Sequence, residues 1–172
     1  MEQTMTKRVD DQIKFQTLVE AHQGLIFRVT STYARKIEDQ QDLVQEIKLN
    51  LWKAFPKYNS EQSFSTWAYK VSLNTAISWF RIHSKKGTTV ELPETIPAPE
   101  NYTDDRTQIL RQLIDNLDPV SRAILSLSLD DLPQSQIAEI IGTTPGNIAT
   151  RISRIKAQLR QQLEAQEKNT WN

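Results

Sequence analysis

The sequence predicts an all-α protein: two small helical domains joined by a flexible acidic linker, the second carrying a helix-turn-helix. Three observations predict it. Apolar residues recur at helical spacing, as in Ile148, Ile152, Ile155, Leu159 and Leu163, which at about 100° per residue fall on one line. Caps and prolines mark helix boundaries at Asp39, Pro56, Asp118-Pro119, Gly142 and Thr144-Pro145, while only 4 glycines in 172 residues argue against a β-rich fold. Residues 86–105 interrupt the pattern with Gly87, Pro93, Pro97 and Pro99 and with Glu91, Glu94, Glu100, Asp104 and Asp105, the composition of an extended spacer. The expected domains are residues 10–86 and 106–165, with the linker at 87–105.

Each element has its own signal. Residues 10–35 carry Ile13, Leu18, Leu25, Ile26, Val29 and Tyr33 toward a core, as one bent helix or as two with the break near Gly24. A second helix opens at Asp39 as N-cap, runs to Phe55 and stops at Pro56, with Leu43, Val44, Ile47, Leu51, Ala54 and Phe55 as a broad core face. Residues 64–85 form a helix apolar around much of its circumference, the mark of the central helix of a bundle. Beyond the linker, helices at 106–116 and 120–129 flank the cap-and-start pair Asp118-Pro119. A short helix at 134–141 follows, with Ile137, Ala138 and Ile141 inward and Pro133 where a serine or threonine would cap better. Gly142 then leaves through a left-handed residue, Thr144 caps, and Pro145 opens the last helix. Helix, short glycine turn and capped helix is the helix-turn-helix layout.

Composition excludes several classes of function. The chain has no cysteine, so thiol catalysis, disulfides and cysteine-bound zinc are ruled out. His22 and His83 are its 2 histidines and neither has a metal-ligand spacing, and no glycine-rich phosphate loop is present. An enzyme, a metal site, a cofactor and a small-molecule substrate are therefore not expected. The first residues lack a signal-peptide apolar run and no stretch approaches a membrane span, which reads as a soluble, cytoplasmic protein. Net charge is 0, with 21 Lys plus Arg against 21 Asp plus Glu, so any polyanion partner must be met by local arrangement of charge.

Three faces are candidates. On the last helix, Asn147, Thr150, Arg151, Ser153 and Arg154 lie away from the apolar stripe. From residue 145 to 162 the cations Arg151, Arg154, Lys156 and Arg160 occur with no carboxylate, unlike a merely solvated helix, and this favours DNA. On the helix at 39–55, Asp42, Gln45, Glu46, Leu49 and Lys53 share one face; solvation accounts for the charges, and Leu49 alone hints at a partner. On the helix at 64–85, Trp67, Lys70, Asn74, Arg81 and Lys85 form a stripe on which bases could stack and cations could track phosphates. The same spacing is equally consistent with Trp67 in the core. The preceding loop, residues 56–62 with Tyr58 and Asn59, either caps the bundle or receives an unstacked base.

The run Asp42-Leu43-Val44-Gln45-Glu46, then Leu51-Trp52, then Phe64, Trp67, Asn74 and Arg81, resembles region 2 of bacterial extracytoplasmic-function sigma factors. Leu117-Asp118-Pro119, Leu132, Ile137-Ala138-Glu139-Ile140-Ile141-Gly142 and the run from Gly146 to Arg154 resemble their region 4. The resemblance implies a dissociable subunit that binds core RNA polymerase and promoter DNA and has no active site of its own. It implies that Asp42, Gln45, Glu46, Leu49 and Lys53 face the clamp helices of the largest polymerase subunit. Tyr58, Asn59, Trp67, Lys70, Asn74, Arg81 and Lys85 would serve the minus-ten element, with the loop holding a flipped base. Asn147, Thr150, Arg151, Ser153 and Arg154 would serve the minus-thirty-five element. It also implies an anti-sigma factor as inhibitor and an acidic linker near the polymerase's RNA path. Lys48, Ala68, Leu73 and Ala149 depart from the family's common aromatic, leucine, arginine and basic residue at those places. The competing reading is an autonomous helix-turn-helix regulator with an N-terminal sensing or dimerisation domain, which would bind a duplex half-site without polymerase.

Overall fold

The structure, a computed structural model, describes the backbone of residues 2–85 and 105–170 and the side chains of 9–84 and 107–166. Among the described residues there are eight α-helices and no strand: α1 Glu2–Ala21, α2 Gln23–Tyr33, α3 Ile37–Ala54, α4 Phe64–Lys85, α5 Asp105–Asp115, α6 Pro119–Leu129, α7 Gln134–Ile141 and α8 Pro145–Thr170. A short 3-10 helix, Phe55–Lys57, follows α3. The chain divides into two compact units, Met1–Phe80 and Arg81–Asn172. The linker expected at 87–105 lies outside the described residues except for Asp105, which opens α5.

In the first unit, α3 buries Leu43, Ile47 and Leu51 completely, and α4 buries Phe64, Ala68, Tyr69, Leu73, Ala76 and Trp79. Asn50 Nδ2 donates to Thr75 Oγ1 at 3.2 Å and ties α3 to α4; Arg28 donates to the Tyr69 hydroxyl at 3.4 Å and ties α2 to α4. The central position expected of α4 follows from this breadth of burial. Ala68 and Leu73, two of the departures from the family pattern, are core residues here.

Four expectations need correction. The first helix begins at Glu2 rather than at residue 10; it ends at Ala21, and the break near Gly24 falls at His22, with Gly24 itself in the first turn of α2. Ile13 is 59% exposed. Ile13 and Leu18 are five residues apart, about 140° around a helix, so they cannot both face one core; Phe15 and Val19 set the phase instead. Asp39 is not the cap of α3, because the helix opens at Ile37 behind Lys36, leaving Glu38 and Asp39 in the first turn, where carboxylates favour the positive helix end. In α7 the buried isoleucines are Ile137 and Ile140, while Ile141, the last residue before the turn, is half-open.

The second unit is organised around α8, against which α5, α6 and α7 all pack. Ile148, Ile152, Ile155 and Leu159 are buried along its inner line, as their spacing predicts. Gly142 has φ 81° and ψ 45°, and Thr143 N–H donates to the Ala138 carbonyl at 2.9 Å, closing α7 with the left-handed turn that glycine permits. Asn147 N–H donates to Thr144 Oγ1 at 3.3 Å, so Thr144 caps α8 and Pro145 opens it. The Asp118 carboxylate caps α6, accepting from the amides of Val120 and Ser121 at 3.1 and 3.0 Å. Burial opposes its charge, but the Ser121 hydroxyl, these two amides and the Arg151 guanidinium outweigh that and hold its pKa below the ordinary 3.8.

Three substitutions at these turns and helix starts have predictable effects on stability. Gly142→Ala is expected to cost about 1 kcal/mol through backbone conformation, since a Cβ there meets nothing within 4 Å. Gly146→Ala, with equal room and a helical backbone, is expected to stabilise by about 0.5–1 kcal/mol. Denaturant unfolding of the two variants checks the opposite signs. Asp118→Ala is expected to cost about 1 kcal/mol at neutral pH. Because the folded carboxyl has the lower pKa, its contribution is complete above the unfolded value near 3.8 and fades as pH falls from there through the folded value. Parent and variant stabilities should therefore converge in acid; a constant gap down to the acid limb would refute the charged-cap account.

Candidate functional site

The geometry divides the predicted residues into exposed faces and a packed cluster. On α3, Asp42, Gln45, Glu46, Leu49 and Lys53 are all exposed on the side opposite Leu43, Ile47 and Leu51. Leu49 is 50% exposed and Trp52, one turn on, is 41% exposed, so the face has an apolar edge as well as charges. In the sequence Trp52 stands out only within the motif Leu51-Trp52; its exposure depends on how α1 and α3 pack and has no local signal.

On α4, Lys70, Asn74 and Arg81 are exposed along one line, and exposed Ser78 fills the gap between Asn74 and Arg81. The side chain of Lys85 lies outside the described residues. Trp67 belongs to a different environment. It is half-buried, with its ring centroid 4.9 Å from Tyr58, 5.4 Å from Phe64 and 6.4 Å from Phe55. Trp67 is thus neither a fully buried core residue nor a free surface ring: it packs in an aromatic cluster and stays partly open to solvent.

The loop before α4 is built rather than loose. Tyr58 Oη donates to the Gln62 carbonyl at 2.8 Å, and the ring meets Phe64 edge-on at 5.6 Å and 90°. The Asn59 side chain accepts from the Glu61 amide at 3.0 Å and donates to the Glu61 carboxylate at 3.0 Å, an Asx turn that sets the loop's path. Four aromatic rings thus converge at the joint between the end of α3 and the start of α4, with amide-bearing residues at their edge. That combination of π faces and hydrogen-bonding groups suits an unstacked base.

In the second unit, Asn147, Thr150, Arg151, Ser153 and Arg154 are all exposed on α8, and the structure brings them to one surface. Asn147 Nδ2 donates to Thr143 Oγ1 at 3.1 Å, and Thr150 Oγ1 donates to the Gly146 carbonyl at 3.0 Å, so both polar side chains are oriented at the start of the helix. Thr143 was not singled out by the sequence; it holds Asn147 from the turn. The Arg151 guanidinium lies near enough to Asp118 to help lower its pKa, which couples the cap of α6 to the exposed face of α8. Among the described residues no group of acidic, histidine or cysteine side chains is placed to hold a metal ion, and no helix is long and apolar enough to cross a membrane.

Residues 18–86 match the family model described as Sigma-70 region 2, and residues 107–159 match the one described as Sigma-70, region 4. The chain is 25% identical over 160 residues to the RNA polymerase sigma factor NccH of Alcaligenes xylosoxydans xylosoxydans, covering 87% of this chain and 86% of that one. It is 25% identical over 173 residues to the ECF RNA polymerase sigma-E factor of Escherichia coli (strain K12), covering 90% of each. The fold is similar to that of the sigma factor RpoE from Bartonella quintana, solved in complex with the anti-sigma factor NepR. That match has a TM-score of 0.64 and 19% identity, and covers 90% of this chain and 97% of that one.

Proposed function

We propose a residue-level division of labour for this chain, which belongs to the sigma-70 family and is an extracytoplasmic-function sigma factor. It binds core RNA polymerase and directs promoter recognition, minus-ten melting and transcription initiation. The presence of regions 2 and 4 in one chain, in that order, carries this conclusion over an autonomous helix-turn-helix regulator. In our reading residues 10–86 contact polymerase and the minus-ten element, residues 106–165 contact the minus-thirty-five element, and residues 87–105 span between them. The chain contributes no bond chemistry of its own and acts in the cytoplasm, where polymerase and promoter are.

The α3 face of Asp42, Gln45, Glu46, Leu49 and Lys53 is the proposed seat for core polymerase. Its apolar edge at Leu49 beside charged residues has the make-up of a protein interface. Lys70, Asn74, Arg81 and Lys85 track the backbone of the minus-ten strand. Tyr58, Asn59 and the outer side of Trp67 receive a base as the duplex opens, with Phe55 and Phe64 holding the rings in place. On α8, Arg151 and Arg154 supply charge, and Asn147, Thr150 and Ser153 supply short polar groups to the minus-thirty-five groove. An anti-sigma factor is the expected inhibitor, as RpoE is solved with one.

Adding the purified chain to core polymerase on a promoter library tests the whole reading: selective initiation is expected, and failure both to bind core and to initiate would overturn it. Within it, Arg154→Ala should lower discrimination at one minus-thirty-five position by about 1–3 kcal/mol, measured as relative initiation from upstream sequence variants. An unchanged ranking removes Arg154 from base readout. Glu46→Arg should weaken core binding about tenfold or more, or ~1.4 kcal/mol, with unfolding unchanged. Parental affinity in a titration would take the α3 face out of the interface.

A further inference from the structure

Two adjacent threonines hold one residue of the recognition face at both its backbone and its side chain. Thr144 Oγ1 accepts from the backbone amide of Asn147 at 3.3 Å, and Thr143 Oγ1 accepts from the side-chain Nδ2 of the same residue at 3.1 Å. Thr143 is itself fixed, because its backbone amide donates to the Ala138 carbonyl at 2.9 Å in the turn that closes α7, and its side chain is half-buried. Asn147 is the third residue of α8, a place from which a side chain commonly reaches back to the residue that caps the helix. Here it reaches one residue further, into the turn. The bond takes one of the two N–H donors of the amide group. The other donor and the neighbouring Oδ1 acceptor stay available on an exposed residue, and Gly146 before it carries no side chain to screen them.

We propose that Thr143 is a positioning residue for sequence recognition: it sets the Asn147 amide to read adenine at one position of the minus-thirty-five element. The inference rests on the reading that the exposed face of α8 enters the major groove of that element. Adenine presents N7 as acceptor and its N6 amino group as donor side by side there, and an asparagine amide meets both at once with Nδ2 toward N7 and Oδ1 toward N6. The amide turned end for end would set donor against donor and acceptor against acceptor. Thr143 takes the Nδ2 end, so the amide is oriented before DNA arrives, which lowers the ordering cost of the contact. Thr150 differs, since its hydroxyl donates to the Gly146 carbonyl at 3.0 Å and its own helix orients it. Asn147 alone of the two depends on a residue outside α8. Arg154 stands two turns further on, about 10 Å along the helix or roughly three base-pair steps, so it faces a different base pair.

Initiation by core polymerase with each variant, on promoters whose minus-thirty-five element is randomised, tests this. Asn147→Ala should remove a preference for adenine at one position, distinct from the position that Arg154→Ala relaxes. Thr143→Val, which keeps the shape but lacks the hydroxyl, should weaken that same adenine preference about tenfold, and Thr143→Ser should restore it. In the double variant Thr143→Val should add nothing to Asn147→Ala, because a positioning residue acts only through the side chain it holds. A role in folding alone would instead lower initiation on every promoter alike and would add to Asn147→Ala. If Thr143→Val keeps the parental adenine preference, or its effect adds to that of Asn147→Ala, while Arg154→Ala still shifts the ranking, the positioning role is lost and the α8 reading stands. A preference for guanine or thymine at the position that Asn147→Ala relaxes would mean that the amide presents its donors, and would overturn the adenine assignment. If neither Asn147→Ala nor Arg154→Ala changes any upstream ranking, the α8 reading itself has failed and the proposal with it.

Discussion

A helix that buries one stripe has no freedom over which stripe it exposes, and every candidate surface here depends on that constraint. In α8 the line Ile148, Ile152, Ile155 and Leu159 is buried against α5, α6 and α7. Rolling the helix by one residue, about 100°, would bring these side chains toward water at about 1.5–3 kcal/mol each. That loss rivals the whole stability of a unit this size. The azimuth of Arg154 and Ser153 is therefore fixed by buried residues on the other side of the helix. The same holds for Asp42 opposite Ile47 and Leu51 on α3, and for Lys70 and Asn74 opposite Ser72 and Trp79 on α4.

Azimuth alone does not place a helix along its axis, and the turns supply that. Gly142 turns the chain, Thr144 satisfies the Asn147 amide, and Pro145 starts α8 at a defined residue. On α6, Arg122 is buried, and its guanidinium donates to the carbonyls of Asp115, the last residue of α5, and Leu117 in the turn after it. A buried cation is tolerated there because carbonyl oxygens and the negative end of a helix replace its water. Asp118 caps α6 in the same turn and feels the charge of Arg151. The end of α5, the start of α6 and the recognition face are thus joined through one short polar segment.

These two levels explain what was legible in the sequence. Burial of Ile148 to Leu159, the left-handed Gly142 and the caps at Asp118 and Thr144 follow from local spacing and local chemistry, and they stand as read. Ile13 and Asp39 misled because their roles are decided elsewhere: Phe15 and Val19 set which side of α1 faces in, and α3 opens at Ile37, two residues before the expected cap. Trp67 was undecidable for the same reason. Its half-burial depends on Phe55 and Tyr58, brought beside it by a 3-10 turn that no periodicity announces.

Charge explains why these surfaces work as parts of a larger assembly. The chain is neutral overall, so it has no long-range attraction to DNA, and its recognition helix offers Arg151, Arg154, Lys156 and Arg160. Even if all four neutralised phosphates, the salt slope would be about −4, against about −10 for a repressor that holds its operator alone. Contacts of that strength select a sequence only when the protein is already tethered nearby, because a second binding event at high effective concentration needs little affinity of its own. In the proposed division of labour, core polymerase seated on α3 is that tether. The thin basic face of α8 is then suited to reading the upstream element within the complex while releasing free DNA.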